Sequence, residues 1–381
     1  MPDLLKKYIK IVKSEKETKM IQFTHRHFIT QDVKNEFNKL ASMPLNILQI
    51  KNAYGVNNIP NINNIELGTG INIAVIIAGT YTNAQNDLNF YCDFYKLPRT
   101  KLVIVKMSGA TSQGWEIEGA LDLQCAYTMA LGSNIYLIQA RSASFQDIMN
   151  TIEWCNKNKI DVINMSFGAE EFSTQSSFKK YFTNTNILYC ASSGDTSSIP
   201  NFPSVLANVL SIGGTTLSVD NNNVRTTETT WGQGGCTASK YELKPSYQNN
   251  VDNLTKKLKY RNTPDISANA NPSSGVKIYC NNVWYSVGGT SASCPLMCGV
   301  LAIVCYKRKL LNKSKLNTIL NNNNDIHKYL YNLSKINKYS NYFYDVISGI
   351  NGPNVANVNY DIPTGLGVLK ADAIVEYLSK I

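Results

Sequence analysis

Several common signatures are absent from this chain of 381 residues. It has no C-x-x-C pair and no His/Cys spacing suited to zinc, which excludes the usual structural zinc sites. Its longest apolar candidate for a membrane span, Val300 to Tyr306, is far shorter than the roughly 18 residues that a span needs. Internal repeats are also absent, so a repeat architecture is excluded.

Charged residues are few as well, at 17% of the chain, and uncharged polar residues, above all Asn, take their place. The formal net charge is +10, but the basic residues are scattered. Two modest clusters are the exception: Lys6, Lys7, Lys10 and Lys13, and Lys256, Lys257, Lys259 and Arg261. No recognised nucleic-acid motif accompanies either cluster. We therefore interpret them as solvated surfaces and expect no nucleic-acid partner.

The cysteines and the N-terminus both give information on the cellular compartment in which the protein is expected. Nine cysteines, an odd number, are spread singly, and Cys190, Cys298 and Cys305 lie in apolar contexts. Free cysteines behave as small buried hydrophobes, so a reducing compartment is the simpler interpretation. In the first 19 residues charges interrupt every apolar run and no small-residue cleavage site follows, so we predict no secretory signal.

The first 43 residues read as a leader, followed by a single domain over residues 44–381. An apolar helical stripe is predicted in the leader, formed by Leu4, Leu5, Tyr8, Ile9 and Val12 with lysines opposite. A helix docked on the main domain and a helix in contact with a membrane surface both remain open, and we favour docking.

From residue 71 the pattern alternates strand and helix. Six short runs are almost uniformly apolar and β-branched, as parallel strands buried on both faces are. These runs are INIAVIIAG (71–79), KLVIVKM (101–107), NIYLIQA (134–140), DVINMSF (161–167), NILYCASSG (186–194) and VLSIGGT (209–215). Helices are predicted over 115–131 and 144–158. We expect an α/β fold with a doubly wound, mostly parallel sheet, helices on both faces, and the functional site at the carboxyl ends of the strands. The polar stretch 216–283 is harder to place.

A candidate nucleophile opens the most apolar helical segment. The strand-like run YSV (285–287) turns on two glycines and becomes a helix, which places Ser291 at the helix N-terminus, where negative charge is favoured. Capping of the helix by Thr290 or Ser291 is the simpler alternative. The whole pattern G-T-S-x-x-x-P, Gly289 to Pro295, resembles the nucleophile segment of the subtilisin and sedolisin superfamily.

Histidine is too scarce to supply the usual base for this serine. Only His25, His27 and His327 exist, and none has a glycine after it or a strand before it. Glu118 and Asp122 are the alternative base, because their spacing of four puts them on one helical face, about 5–6 Å apart at Cβ. A buried carboxyl pair shares a proton and can accept one from a serine hydroxyl. An ordinary exposed acidic face is the competing interpretation.

Together these residues resemble the sedolisin family of serine-carboxyl peptidases, with a subtilisin-like fold, over roughly residues 44–381. Further segments follow in the family's order: LQIKNAYGV, INIAVIIAG, INMSFGAEE, SIGGTTL, GGCTASKYELKPSYQ and RNTPDISANANPSSGVKIY. The resemblance implies that Ser291 is the nucleophile, Glu118 the base and Asp122 its support.

The resemblance also assigns Asp195 to the oxyanion hole. Subtilisins carry an asparagine at this position, and an amide donates a hydrogen bond at any pH, whereas a carboxyl donates only when protonated. We therefore expect a raised pKa for Asp195 or an acidic working pH, on the order of 3–5. Without the other motifs, a turn aspartate in S-G-D-T-S would be the better interpretation.

Two more sites are implied by the resemblance alone. Ser166, Phe167 and Gly168 match the family's S-W-G edge, whose backbone pairs with extended substrate, with Phe in place of the commoner Trp. Near the C-terminus the resemblance implies a calcium (Ca²⁺) site. Its ligands are the carboxylates of Asp345 and Asp361 and the backbone carbonyls of Val346, Asn357 and Asn359. The family has glycines where this chain has the two asparagines, and a metal-free loop is the alternative.

The expected function is therefore acid-active peptide hydrolysis, by a monomer acting on polypeptide substrate. Relatives carry a large prodomain that the 43-residue leader does not match in size. With no secretory signal, we expect an intracellular protein or one packaged in a particle, including a viral one, with an acidic vesicle as the site of action. A catalytically silent binding protein on the same scaffold, using its basic surface, is the second hypothesis. A His-based subtilisin is the third.

Overall fold

The computed structural model describes the backbone of residues 28–31 and, in full, residues 44–111, 114–249, 251, 258–334 and 339–381. The helices are α1 (Ile47–Ala53), α2 (Ala84–Phe94), α3 (Glu116–Met129), α4 (Phe145–Lys157), α5 (Thr290–Leu310), α6 (Ile326–Leu333), α7 (Tyr339–Tyr342) and α8 (Ala371–Lys380). The predicted leader helix over Leu4 to Val12 lies outside the described residues, and so do His25 and His27.

The strands are numbered in chain order. They are β1 (Phe28–Gln31), β2 (Asn72–Ala78), β3 (Val103–Lys106), β4 (Asn134–Ala140), β5 (Val162–Met165), β6 (Ala169–Glu170), β7 (Leu188–Ser192), β8 (Asn201–Phe202), β9 (Leu210–Val219), β10 (Arg225–Thr230), β11 (Thr237–Leu243), β12 (Tyr260–Thr263), β13 (Ile266–Asn269), β14 (Val276–Cys280), β15 (Val283–Gly288), β16 (Phe343–Tyr344), β17 (Ile350–Asn351), β18 (Asn354–Val355) and β19 (Val368–Leu369).

One large sheet carries the fold. Its order is β16-β19-β13-β9-β7-β5-β2-β4-β3, with β10 alongside β9. The pairings are parallel except where β16 meets β19 and β10 meets β9. Helices flank the sheet, so the predicted doubly wound, mostly parallel α/β architecture is confirmed. The carboxyl ends of β5, β7 and β9 therefore meet along one edge of the sheet, where the candidate site lies.

All six predicted apolar runs form strands of this sheet, but they differ in burial. The side chains of β5 and β7 are fully buried, as expected for strands covered on both faces. In β3, by contrast, Val103 and Ile104 are 40% and 46% exposed. This strand is at the edge of the sheet, where a neighbour covers it on one side alone, so the apolar pattern overestimated its burial.

The stretch 216–283 contains a central strand that its polarity concealed. Strand β13 lies between β9 and β19 and is buried, although half of it is polar. Its Asn269 accepts a hydrogen bond from the Leu217 amide and donates one to the Ser274 carbonyl. Because those bonds satisfy the amide, a polar residue is accommodated inside the sheet.

A second, smaller sheet includes Phe28–Gln31, which fall within the predicted leader. It has the order β1-β15-β14, and all of its pairings are antiparallel. Phe28 lies opposite Gly288, the last residue of β15 before the turn into α5. Four residues of the predicted leader are therefore paired with a strand that leads directly to Ser291.

Helix α5 runs through the centre of the molecule, packed on α3 and on the main sheet. By length and composition it could cross a membrane, but 89% of its most apolar window is buried inside the protein. It is the core helix of this fold. All nine cysteines are free; eight are buried and Cys305 is half-buried, as the sequence predicts.

Candidate active site

Two helices and one loop bring the four predicted residues together at the carboxyl edge of the main sheet. Ser291 is the second residue of α5 and Glu118 the third residue of α3. Asp122 follows one turn later on α3, and Asp195 comes three residues after β7. Glu118 and Asp122 are fully buried, and Ser291 and Asp195 are 3% and 7% exposed. An exposed acidic face on α3 is therefore excluded.

The turn before α5 explains why glycines precede the nucleophile. Gly289 is the N-cap residue and has φ 109°, a backbone conformation that other residues rarely adopt. Since the cap is Gly289, neither Thr290 nor Ser291 caps the helix with its side chain. The Ser291 hydroxyl instead donates to the Ser166 carbonyl at 3.3 Å, and it lies close enough to Glu118 to lower the pKa of that carboxyl. At this helix end, backbone N–H groups favour a developing negative charge.

Glu118 has the environment of a proton acceptor with a shifted pKa. Burial raises the pKa of its carboxyl well above 4.5, the hydrogen bond with Ser291 lowers it, and the charge of Asp195 raises it further. Desolvation dominates because the ionised form loses its hydration in the interior. The carboxyl thus lies close enough to the Ser291 hydroxyl to be influenced by it, as the predicted chemistry requires.

Asp122 lies behind Glu118 and is equally perturbed. Burial raises its pKa well above 3.8, the Glu118 charge raises it further, and hydrogen bonds from Ser166 and Asn164 lower it. The Ser166 hydroxyl donates to Asp122 Oδ1 at 2.6 Å. Two such carboxyls in one buried site hold at least one proton between them, because two adjacent buried charges repel each other strongly.

Asp195 is held by the residue before the nucleophile. Its Oδ1 accepts the Thr290 backbone N–H at 2.7 Å and the Thr290 hydroxyl at 2.8 Å. Gly194, with φ 109°, donates its amide to the same hydroxyl at 3.1 Å. A Cβ on Gly194 would meet the Asn201 side chain at 2.1 Å, so glycine is required here on two grounds. Asp195 is therefore a fixed part of the site rather than a simple turn residue.

His327 cannot serve as the base for Ser291. It is fully buried in α6 and its Nδ1 lies 2.8 Å from Asp325 Oδ1, with Asp265 Oδ2 3.6 Å from Nε2. Burial lowers the pKa of His327, but the charge of Asp325 and the hydrogen bonds with Asp265 and Asp325 raise it to about 9. Asp265 is also paired with the buried Arg261. This ionic cluster is structural.

The predicted substrate edge lies beside the carboxyl pair. Ser166, Phe167 and Gly168 follow β5 directly, and all three are buried. The Phe167 ring makes an edge contact with Trp115, with 6.1 Å between ring centroids. Trp115 immediately precedes α3, and nothing in its spacing distinguished it in the sequence. Asn164 was missed for the same reason, and Thr290 was considered only as a helix cap and as part of the G-T-S pattern.

The predicted calcium residues are also brought together. Asp361 Oδ2 accepts the Asn357 amide at 3.0 Å, and Asp345 Oδ2 accepts the Asn359 amide at 2.8 Å. Burial raises the pKa of Asp361 to about 6, the hydrogen bonds from Asn357 and Thr364 lower it, and the nearby Asp345 charge raises it. Val346 is buried in the same loop. The described part of the chain contains no group of three or more His, Cys, Asp or Glu side chains suited to a metal.

The fit of this loop to calcium depends on its oxygen donors. Among the described residues, Asp345 Oδ1 is a buried carboxylate oxygen with no hydrogen-bond partner. Such an oxygen beside a second carboxylate is a donor that a hard cation would satisfy, with carbonyl oxygens completing the set. The donor set therefore fits calcium, although the amides of Asn357 and Asn359 already contact both carboxylates.

Comparison with known proteins agrees with this geometry. Residues 48–341 match the model of the subtilase family. Kumamolisin from Bacillus sp. (strain MN-32) is 26% identical over 276 residues, which are 63% of this chain and 49% of that protein. Sedolisin from Pseudomonas sp. (strain 101) is 30% identical over 199 residues, 49% of this chain and 31% of that protein. The chain thus spans half or less of the length of these relatives.

Among solved structures, Pseudomonas sedolisin, a serine-carboxyl proteinase complexed with two molecules of pseudo-iodotyrostatin, superposes with a TM-score of 0.75. The match covers 89% of this chain and 98% of that chain at 22% identity. At 22% identity the similarity is evidence for the fold alone, and it confirms the predicted subtilisin-like architecture. The predicted similarity to sedolisins is confirmed by the relatives themselves.

Proposed function

Because this chain belongs to the subtilase family and its relatives are sedolisins, we propose that it is a serine peptidase of the sedolisin type that hydrolyses polypeptides. The observation that carries the proposal is the burial of the Glu118 carboxyl beside the Ser291 hydroxyl, which lowers the pKa of that carboxyl against the effect of burial. A carboxyl in that position replaces the imidazole of a His-based enzyme. The second hypothesis, a catalytically silent binding protein, gives no reason for such an arrangement.

In the first half of the reaction, the Ser291 oxygen attacks the carbonyl carbon of the scissile peptide bond. Glu118 accepts the hydroxyl proton as the new C–O bond forms, and Asp122 stabilises Glu118 by sharing the proton of the pair. The carbonyl oxygen becomes an oxyanion. Asp195 in its protonated form and the Ser291 backbone N–H donate hydrogen bonds to it.

In the second half, Glu118 returns its proton to the leaving amine, the C–N bond breaks, and an acyl ester on Ser291 remains. A water molecule then attacks the ester while Glu118 accepts one of its protons. Collapse of this second tetrahedral species returns the proton to the Ser291 oxygen and releases the carboxylic product. Each proton taken up by Glu118 is thereby released again.

We further propose that the enzyme works in acid. Thr290 donates twice to Asp195 Oδ1, so a proton on this carboxyl belongs on Oδ2, and a carboxyl holds a proton only in acidic surroundings unless it is strongly perturbed. In neutral surroundings the ionised Asp195 cannot donate to an oxyanion, which would hold activity off. Entry into an acidic vesicle would then switch the enzyme on, in agreement with the expected localisation.

Two binding sites complete the proposal. The backbone of Ser166, Phe167 and Gly168 would pair with an extended substrate beside the carboxyl pair. Calcium would be held by Asp345 and Asp361, with carbonyls of Val346, Asn357 and Asn359. When bound, calcium would neutralise the charge of the two carboxylates and crosslink the C-terminal loop.

The direct test is hydrolysis of a denatured polypeptide by the purified full chain between about pH 3 and about pH 8. We expect cleavage that rises toward acid and is abolished in Ser291→Ala. Full activity at neutral pH without any rise toward acid would contradict the acid mechanism. Absence of cleavage at every pH, together with salt-sensitive retention of nucleic acid, would favour the binding protein.

A further inference from the structure

Two side chains that were not predicted to take part in the chemical steps, one of them in the predicted substrate edge, converge on Asp122. Asn164 is in β5 and Ser166 follows its end, so the two are separated by two positions and point to the same side of the strand. Both are buried, at 0% and 1% exposure. The Asn164 amide nitrogen donates to the Ser166 hydroxyl oxygen at 3.0 Å, and that hydroxyl donates to Asp122 Oδ1 at 2.6 Å. The two side chains thus form a chain of hydrogen bonds that runs from Asn164 through Ser166 to Asp122, which we call the relay.

The direction of each bond in this relay is fixed by chemistry. An amide NH₂ can only donate, so the Ser166 oxygen is the acceptor there and its own hydrogen must go elsewhere. Asp122 Oδ1, at 2.6 Å, is a much closer acceptor than the Ser291 carbonyl at 3.3 Å. The Cys298 thiol lies 3.6 Å from the amide oxygen of Asn164, which is the acceptor end of that amide.

This arrangement distinguishes the two oxygens of Asp122. Because Oδ1 already accepts a hydrogen bond from Ser166, a proton on this carboxyl is favoured at Oδ2. Among the described residues, Asp122 Oδ2 is buried and has no hydrogen-bond partner. We propose that Asn164 and Ser166 are positioning residues that orient Asp122 and keep the proton it shares with Glu118 on Oδ2. This inference rests on the proposed serine-carboxyl mechanism.

The relay also sets how readily the carboxyl pair ionises. Hydrogen bonds donated to Asp122 stabilise its ionised form, and those from Ser166 and Asn164 lower its pKa against the effect of burial. Without them the pair would keep its proton to higher pH. The pair would then become able to accept the Ser291 proton only at higher pH, so the acid limb of the pH–rate profile would move upward.

The thiols near the pair do not titrate in the same range, and the remaining carboxyl, Asp195, can be removed by substitution. Cys125 on α3 and Cys294 on α5 both interact with Asp122, and burial raises the pKa of each thiol, so both stay neutral in acid. Asp195 interacts with Glu118 from the loop after β7. An Asp195→Asn background removes that remaining charge and leaves the carboxyl pair as the source of the acid limb.

The test compares Ser166→Ala with Ser166→Thr and Asn164→Ala by measuring kcat and KM against pH. In Ser166→Ala we expect the acid limb to move upward by about one pH unit and kcat to fall about tenfold or more. KM should change little. Asn164→Ala should shift the limb in the same direction, and Ser166→Thr, which keeps the hydroxyl, should restore the wild-type profile. Ser204→Ala is the control, since Ser204 is a buried serine that donates to the Asn201 carbonyl.

A merely structural role gives a different result. Lower stability of Ser166→Ala and Asn164→Ala with an unmoved acid limb would overturn the proposal. If the wild-type chain hydrolyses nothing, the proposed function fails, but the positioning role is still decided by unfolding experiments. The free energy of unfolding then loses its carboxyl-pair contribution at higher pH in Ser166→Ala than in wild type, and superimposable pH dependences would refute the role.

Discussion

Thr290 donates both its backbone N–H and its hydroxyl to a single oxygen of Asp195, at 2.7 and 2.8 Å. Thr290 is also the first residue of the helix that carries Ser291, so the start of the helix and the oxyanion carboxyl are joined directly. The nucleophile and Asp195 therefore keep a fixed relation, although they are separated in sequence by the whole of β8 to β15. Preorganised donors of this kind are effective because they need no rearrangement during the reaction.

Replacing Asp195 by Asn tests the acid requirement. An amide donates at every pH, so Asp195→Asn should keep at neutral pH the activity that the same variant shows at its pH optimum. Asp195→Ala should instead lose about 10²–10³ in kcat. The measurement is kcat/KM against pH for both variants. A basic limb in Asp195→Asn that coincides with wild type would argue against this role.

Glu118 should make the folded state less stable at neutral pH. A carboxyl whose folded pKa is raised contributes stability that is present below its unfolded value and lost as pH rises through the folded value. Since burial raises the pKa of Glu118 above 4.5, Glu118→Gln should unfold at higher urea concentration than wild type at about pH 7, by on the order of 1 kcal/mol. At about pH 3 the difference should vanish.

The exposed Glu153 on α4 provides the matched control for that experiment, since Glu153→Gln changes the same chemistry in solvent. Its unfolding should follow wild type at both pH values. Equal destabilisation of Glu118→Gln at both pH values would contradict the raised pKa.

His327 should matter for stability and not for chemistry. His327→Gln breaks contacts with Asp325 and Asp265 inside a buried ionic cluster, which typically costs about 3–5 kcal/mol. Assayed well below its unfolding temperature, the folded variant should hydrolyse peptides within about threefold of wild type. Thermal unfolding and kcat/KM on the same preparation check this. A folded but inactive His327→Gln would revive a His-based mechanism.

Calcium removal tests the C-terminal loop. A chelator should lower the thermal unfolding temperature of the wild-type chain, because a ligand that binds the folded state alone stabilises it. Asp361→Asn should have a similarly lowered temperature that added calcium fails to restore, and magnesium at the same concentration is the control cation. Unchanged unfolding of the wild type with chelator, with calcium and with magnesium would show that the loop is stable without metal.

Much of the fold was predictable from local patterns. The six apolar runs predicted sheet strands, because a strand buried on both faces needs apolar side chains throughout. The polar strand β13 was not predictable, since its burial depends on distant hydrogen bonds such as that from the Leu217 amide to Asn269. The pairing of β1 with β15 was equally inaccessible, because it joins segments more than 250 residues apart.

The candidate site, like the fold, was predictable only in part. The spacing of four between Glu118 and Asp122 predicted a common helical face, and the structure has both carboxyls buried on it. The contacts of Asn164 with Ser166 and of Thr290 with Asp195 could not be predicted, because each depends on a neighbour that only the fold brings close. The side chain of Ser166 contacts Asp122, a contact that its expected substrate-pairing role did not suggest.

The most direct measurement of the central claim is the rate of peptide hydrolysis by Glu118→Gln beside Glu116→Gln. Glu116 is on the same helix and its carboxylate accepts the Gly114 amide, away from Ser291. With both variants shown to be folded, Glu118→Gln should lose about 10²–10⁴ in kcat at every pH, and Glu116→Gln should stay within about threefold of wild type. Wild-type turnover by Glu118→Gln would contradict the claim that a carboxyl activates Ser291.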